Sequence, residues 1–175
     1  MSDVDPISEA LAAGPEAVHR AVEAAIERGE SAYFFEHLGR MASYRVFHGT
    51  SFELVLAWTE ASITAYAAAA ARISNAIDRN GREICELGLR AVFIGRFGMG
   101  SEQAKKYLAD IEGVLFESVA GIESPAQVRA DLAGSHAQWE RVSVARERFR
   151  HVGKLREMGL LHGDLEPWFA VFARS

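Results

Sequence analysis

The sequence has little cysteine and no long apolar run, and both absences exclude classes of protein. Cys85 is the single cysteine among 175 residues, which excludes an internal disulfide and the paired-cysteine patterns of redox and zinc sites. The most apolar stretch, 54–71, is rich in alanine and interrupted by Glu60, so it predicts no transmembrane segment. Asp3 and Asp5 open the chain without a basic and apolar run, so we expect no secretory signal and a cytoplasmic protein.

Net charge narrows the functional classes further. The chain carries a formal charge of -5 with 49% hydrophobic and 25% charged residues, which are values typical of a globular protein rather than a disordered one. A negative net charge argues against nucleic acid as a partner. The length suits one compact domain. We therefore predict a single helical domain over 1–175, in which the acidic segment 1–30 is a candidate peripheral element.

Proline, glycine and capping residues mark helices along the whole chain. Pro15 opens and Gly29 closes an amphipathic helix, and Ser101 caps another that ends at Gly121. Between them, a helix over 32–47 has apolar residues at helical intervals. These are Phe34, Leu38, Met41 and Tyr44. Period-two strand patterns are absent, so the sequence predicts an all-α fold, a bundle of seven to eight helices.

The most specific structural prediction concerns the middle of the chain. One long alanine-rich helix is expected over about 51–79, packed in an antiparallel hairpin on a helix over 82–97, with the turn at 80–81. Small residues on both helices are expected to face each other, which would explain interior glycines that each cost about 1 kcal/mol. The small residues concerned are Ala65, 67–71, Gly88, Ala91 and Gly95.

No strong catalytic or cofactor motif is present. A di-iron site needs two Glu-x-x-His motifs, and 16–19 is the single match. The glycine-rich segment 95–101 lacks a preceding strand and the Walker lysine. Cys85 lies between Glu83 and Glu86, whose negative charges raise a thiol pKa and oppose nucleophilic use. We therefore predict no catalytic residue, no cofactor and no metal, which favours a non-catalytic protein over an enzyme.

Two groups of residues are candidate sites. The first is a set of apolar residues expected to stay exposed, through which the protein would bind itself as a homo-oligomer, another protein or a hydrophobic surface. Its members are Phe97, Met99, Trp168, Phe169 and Phe172. The alternative is a small-ligand-binding protein or helical enzyme with a pocket in the aromatic and histidine cluster 33–52. The pocket residues would be Tyr33, His37, Tyr44 and His48.

A third feature is the basic character of segment 137–156. Its amphipathic pattern places Arg141, Arg148 and Lys154 on the outer side of a helix. Two interpretations stay open: a solvated basic face that improves solubility, and a site for an anion.

From about residue 101 onward the order of features resembles the phasins, small helical proteins that coat polyhydroxyalkanoate storage granules. The matching stretch is Phe116-Glu117-Ser118-Val119-Ala120-Gly121, then Ser124-Pro125-Ala126-Gln127-Val128 opening a short helix to Gly134, then a long amphipathic helix through Trp139. The alanine-rich helix upstream is also similar, whereas the 15 glycines and the tail at 168–169 depart from the phasin pattern. The resemblance implies oligomerisation and adsorption to a hydrophobic surface, without catalysis.

Overall fold

A computed structural model describes residues 4–128 and 136–173, and within these ranges it contains nine α-helices and no strand. The all-α prediction is therefore confirmed. The helices are α1 (Pro6–Ala13), α2 (Pro15–Glu27), α3 (Ala32–His48), α4 (Phe52–Ala70), α5 (Ala76–Phe97), α6 (Glu102–Ala120), α7 (His136–His151), α8 (Gly153–Glu157) and α9 (Glu166–Phe172), with a 3-10 turn at Gly163–Leu165 before α9. The short helix predicted to end at Gly134 extends outside the described residues.

The chain forms two compact units, Met1–Leu89 (unit 1) and Arg90–Ser175 (unit 2). The expectation of one domain over 1–175 stays a prediction. No helix in the described ranges is long and apolar enough to cross a membrane.

The boundary between α4 and α5 differs from the predicted one. α4 ends at Ala70, and the Asn75 side chain accepts hydrogen bonds from the amides of Ile77 and Asp78, both at 3.0 Å. Asparagine is a strong N-cap residue because its side-chain oxygen satisfies amides of the first helical turn. Asn80 is only 4% exposed and lies inside α5. The predicted helix over 51–79 and the turn at 80–81 were therefore wrong.

Helices α3 and α4 approach each other closely in unit 1. A Cβ atom added to Gly39 would be 3.1 Å from the Tyr66 ring, and the Ser62 hydroxyl donates a 2.7 Å hydrogen bond to the Gly39 carbonyl. By contrast, a Cβ atom added to Gly88 or Gly95 would meet no described atom within 4 Å. The predicted glycine stripe of α5 therefore does not mark a tight contact, and the small-residue contact forms on α3 instead.

The first part of α5 is tied to unit 1 by polar contacts. The Arg82 guanidinium donates to the Glu36 carboxylate at 2.7 and 3.1 Å, which links α5 to α3. The Tyr66 hydroxyl is hydrogen-bonded to the Cys85 thiol, which links α5 to α4. Burial raises the pKa of Cys85 and also that of Tyr66. Cys85 is thus a partly buried structural residue.

Unit 2 has a core built from aromatic rings. Phe149 on α7 contacts Phe169 and Phe172 on α9, with ring centroids 4.7 and 5.0 Å apart. Tyr107 on α6 meets Phe93 edge to face at 5.3 Å. All five rings are buried. Large rings contribute much apolar area per residue, so these contacts hold α9 in place despite its short length.

Candidate functional site

Helix α3 has a buried apolar face and, on the opposite side, a second face that is rich in aromatic residues. Successive residues in an α-helix are rotated by about 100°, so one set of residues points to the interior of unit 1 and is buried: Phe35, Leu38, Gly39, Ala42 and Val46. A second set follows intervals of four and three residues on the opposite side: Tyr33, His37, Arg40, Tyr44 and Phe47. We call this second set the outer aromatic face. Intervals of four and three are the spacing by which helices pack along a common seam.

The aromatic side chains of the outer aromatic face are open to solvent. Tyr33 is 71% exposed, Tyr44 51% and Phe47 56%. The inner side of α3 already packs in unit 1, so these three rings are not needed to fill the core. Single exposed apolar residues are common, but several along one helix face are typical of a contact surface.

The polar members of this face are ordered by their neighbours. The Arg40 guanidinium lies 2.9 Å from His37 Nδ1. Because a guanidinium can only donate hydrogen bonds, Nδ1 must be the unprotonated acceptor in this contact. The Tyr33 ring stacks on the His37 ring, with centroids 6.1 Å apart and planes 6° apart. The N-terminal half of the face is therefore a connected layer of a phenol, an imidazole and a guanidinium.

The predicted pocket residues lie on this surface. Tyr33 and His37 are brought together by ring stacking, and Tyr44 and His48 are exposed further along α3. The structure places them on an open side of the helix. Phe47 belongs to the predicted cluster 33–52, whereas sequence reasoning missed Arg40, although its interval from Tyr33 could have identified it.

The predicted interaction residues divide into two groups. Phe97, Met99 and Trp168 are partly exposed. Phe169 is 5% and Phe172 1% exposed, so the expectation that these two form an exposed surface was wrong. The physical reason is that their rings pack on Phe149 of α7, which precedes them by about 20 residues in the sequence. They belong to the core of unit 2.

The three predicted outer cations of α7 and α8 have partners within unit 2. Arg141 donates to the Gly121 carbonyl and Arg148 to the Ser118 hydroxyl, both at 2.7 Å. Lys154 lies 3.5 Å from the Glu157 carboxylate. These contacts give each cation a structural role, and the question of an anion site stays open.

A hollow of about 410 Å³ lies beside the aromatic core of unit 2. Its rim includes Arg156 and Glu166, which are joined by two hydrogen bonds. The bond to Arg156 lowers the pKa of Glu166 and raises that of Arg156. The other charged lining residues, Arg150 and Glu157, pair with Glu147 and Lys154. Each rim charge therefore has a partner of opposite charge, and the rim indicates no particular ligand.

No metal-binding group of three or more histidine, cysteine or acidic side chains occurs in residues 4–128 and 136–173. No protein family, curated protein or solved structure gives a significant match to this chain. The geometry of the molecule itself is therefore the guide to its function, and the outer aromatic face is its most distinctive surface.

Proposed function

We propose that this chain is a non-catalytic helical interaction protein of the cytoplasm that associates through the outer aromatic face of α3. The observation that supports the proposal is the exposure of Tyr33, Tyr44 and Phe47 on a helix whose opposite side is already buried. The face combines rings with one guanidinium and one imidazole. Such groups bind a partner surface through apolar contact, ring stacking and cation–π attraction.

Burial of this face in a complex would stabilise that complex. An aromatic side chain can bury roughly 150–250 Å², and each Å² of apolar surface removed from water contributes about 25 cal/mol. Covering the exposed half of one such ring therefore contributes on the order of 2 kcal/mol before the entropic cost of association. Three such rings together contribute on the order of 6 kcal/mol, which is comparable with the lower estimates of the cost of association.

The same face suits the function that the phasin resemblance implies. Aromatic rings beside basic side chains adsorb to apolar surfaces, because the rings leave water while the charged groups stay hydrated. We argue primarily for association between protein chains, because the four-and-three spacing is typical of helix–helix contact. Adsorption to a hydrophobic particle through this face is the second outcome that an experiment can distinguish.

The test compares a double variant, Tyr44→Ser with Phe47→Ser, with wild type and a control, Ile26→Ser. Ile26 is 48% exposed on α2, so the control removes a comparably exposed apolar side chain outside the face. Sedimentation equilibrium from about 1 µM to about 1 mM covers the range of weak association. We expect wild type and the control to associate alike, and the double variant to associate at least tenfold more weakly.

Adsorption to polystyrene and polyhydroxybutyrate particles is measured on the same three proteins. If wild type stays monomeric but adsorbs, and the double variant does not, the face acts on apolar particles as in phasins. Equal behaviour of the three proteins in both assays would contradict the proposed function.

A further inference from the structure

We propose that His162 is a pH-sensitive cap for the 3-10 turn that precedes α9. Its imidazole exchanges partners within Asp164: the neutral ring accepts a hydrogen bond from the backbone amide, and the protonated ring donates one to the carboxylate. This inference is independent of the proposed function, because it concerns unit 2 and involves no residue of the outer aromatic face.

The neutral ring holds the turn through a hydrogen bond. His162 lies directly before the 3-10 turn Gly163–Leu165, and the Asp164 amide donates to His162 Nδ1 at 3.2 Å. A ring nitrogen that accepts a hydrogen bond carries no proton, so the proton of the neutral ring lies on Nε2. Asparagine and serine side chains cap helices in the same way. Histidine differs from them because it takes up a proton in the physiological pH range.

Protonation replaces the acceptor at Nδ1 with a donor. An imidazolium has an N–H group at both ring nitrogens and accepts no hydrogen bond, so the Asp164 amide must then release Nδ1. The Asp164 carboxylate lies 3.7 Å from Nδ1. A small rotation of the ring brings the new N–H group to this carboxylate, so the exchange needs no movement of the backbone.

The other groups around the ring hold the backbone of His162 in place. Its amide donates to the Glu112 carboxylate of α6 at 3.0 Å, and its ring meets Phe116 of the same helix edge to face, with centroids 5.8 Å apart. Arg156 of α8 and Glu166 of α9 line a small hollow together with His162, and these two residues pair with each other. The backbone of His162 is thus tied to α6 by a contact that does not use the titrating nitrogen.

The position of the turn makes the exchange local. α9 begins directly after the turn, and Leu165 within the turn is fully buried. The Leu165 amide donates to the His162 carbonyl at 3.0 Å, and this second hydrogen bond does not depend on the ring. We therefore expect a change at the Asp164 amide in mild acid while α9 stays folded.

The test compares wild type with His162→Asn, whose side-chain oxygen stands in for Nδ1 and accepts a hydrogen bond at every pH. Nitrogen-15 NMR spectra of the imidazole show which ring nitrogen carries the proton. Hydrogen exchange, corrected for the intrinsic rate, measures the protection of the Asp164 amide. Both are recorded at about pH 8 and about pH 5.5, a range over which histidine takes up a proton while most carboxylates stay ionised.

Wild type should have its proton on Nε2 at the higher pH. At the lower pH its Asp164 amide should be about fivefold less protected, which is the factor expected for the loss of one hydrogen bond. In His162→Asn the protection of this amide should be the same at both pH values. Glu112 is present in both proteins, so the comparison also excludes an effect of its titration.

A second variant, Asp164→Asn, tests the new partner of the protonated ring. It removes the carboxylate but keeps the amide, so the neutral cap should form as in wild type at the higher pH. At the lower pH the variant lacks both the cap and the ion pair. The Leu165 amide should therefore lose protection in this variant but keep it in wild type.

Three results would overturn the proposal. The first is a neutral ring with its proton on Nδ1, and the second is an Asp164 amide whose protection in wild type does not change with pH. The third is an equal change in wild type and His162→Asn, since the effect would then not come from the ring. Unchanged protection of Leu165 in Asp164→Asn would overturn the role of the carboxylate.

Discussion

The two units distribute their aromatic residues differently. In unit 1, Gly39 on α3 lies against the Tyr66 ring of α4. Three rings on the other side of α3 face solvent: Tyr33, Tyr44 and Phe47. In unit 2 the rings of Phe169 and Phe172 are buried against Phe149. Its outer cations bond to neighbouring backbone, hydroxyl and carboxylate groups. The exposed rings of α3 thus mark a candidate contact surface in unit 1, whereas the rings around Phe149 form a structural core in unit 2.

The largest expected effect is on stability, and it distinguishes a buried phenylalanine of unit 2 from an exposed phenylalanine of unit 1. Phe149→Ala removes a fully buried ring and should lower the free energy of unfolding by about 3–5 kcal/mol. Phe47→Ala removes a ring that is 56% exposed and should change monomer stability by less than about 0.5 kcal/mol. Urea denaturation at low protein concentration measures both values. Similar losses in the two variants would contradict the distinction between core and surface rings.

The next prediction compares two helical glycines. Gly39→Ala brings a Cβ atom against the buried Tyr66 ring, and overpacking of this kind costs about 1–3 kcal/mol. Gly88→Ala meets open space among the described residues and should stabilise the protein by about 0.5–1 kcal/mol, because alanine is the better helix former. Thermal and urea unfolding give the sign of each change. Stabilisation by Gly39→Ala would show that α3 and α4 are less tightly packed than the structure indicates.

A smaller effect concerns the Cys85 thiol in unit 1. Burial raises its pKa, and the hydrogen bond from Tyr66 partly offsets this increase. Tyr66→Phe removes the hydrogen bond, so the pKa should rise further and alkylation by iodoacetamide near neutral pH should become slower. Alkylation of both proteins in denaturant is the control, where the rates should be equal. Faster alkylation of the folded variant would contradict the contact between α4 and α5.

The smallest effect concerns the surface of unit 2. The hydrogen bond from Arg156 holds the pKa of Glu166 below its ordinary value, so the interaction stabilises the folded state above the ordinary glutamate pKa. This stabilisation is lost as the pH falls through the lowered folded-state pKa. The melting temperature of wild type should therefore exceed that of Glu166→Gln slightly at neutral pH, and the difference should vanish in acid. A difference that is independent of pH would contradict this assignment.

The fold class could be predicted from the sequence because caps and periodicity are local signals. The Ser51 and Ser101 hydroxyls accept hydrogen bonds from the amides of Leu54 and Ala104, and both residues were expected to start helices. Asn80-Gly81 suggested a turn between two helices, but these residues lie inside α5. The Asn75 side chain caps α5, so the break between α4 and α5 comes earlier in the chain. Local signals of similar strength compete, and the contacts of the folded chain decide between them.

The candidate site was harder to predict because α3 has apolar residues on both sides. The stripe of Phe34, Leu38, Met41 and Tyr44 crosses from one side of the helix to the other, whereas the buried residues include Phe35, Ala42 and Val46. Periodicity alone cannot choose the inner side when both are apolar. The same limit applies to Phe169 and Phe172, because their burial depends on a partner ring about 20 residues away.

The central claim is tested most directly by hydroxyl-radical footprinting of the intact wild-type protein across a concentration series. Of the four tyrosines, Tyr33 and Tyr44 are exposed, and Tyr66 and Tyr107 are buried. Met158 in unit 2 is 41% exposed and serves as an internal control. We predict that labelling of Tyr33 and Tyr44 falls as concentration rises while labelling of Met158 stays constant. Constant labelling of both tyrosines, with polystyrene or polyhydroxybutyrate particles also giving no protection, would contradict it.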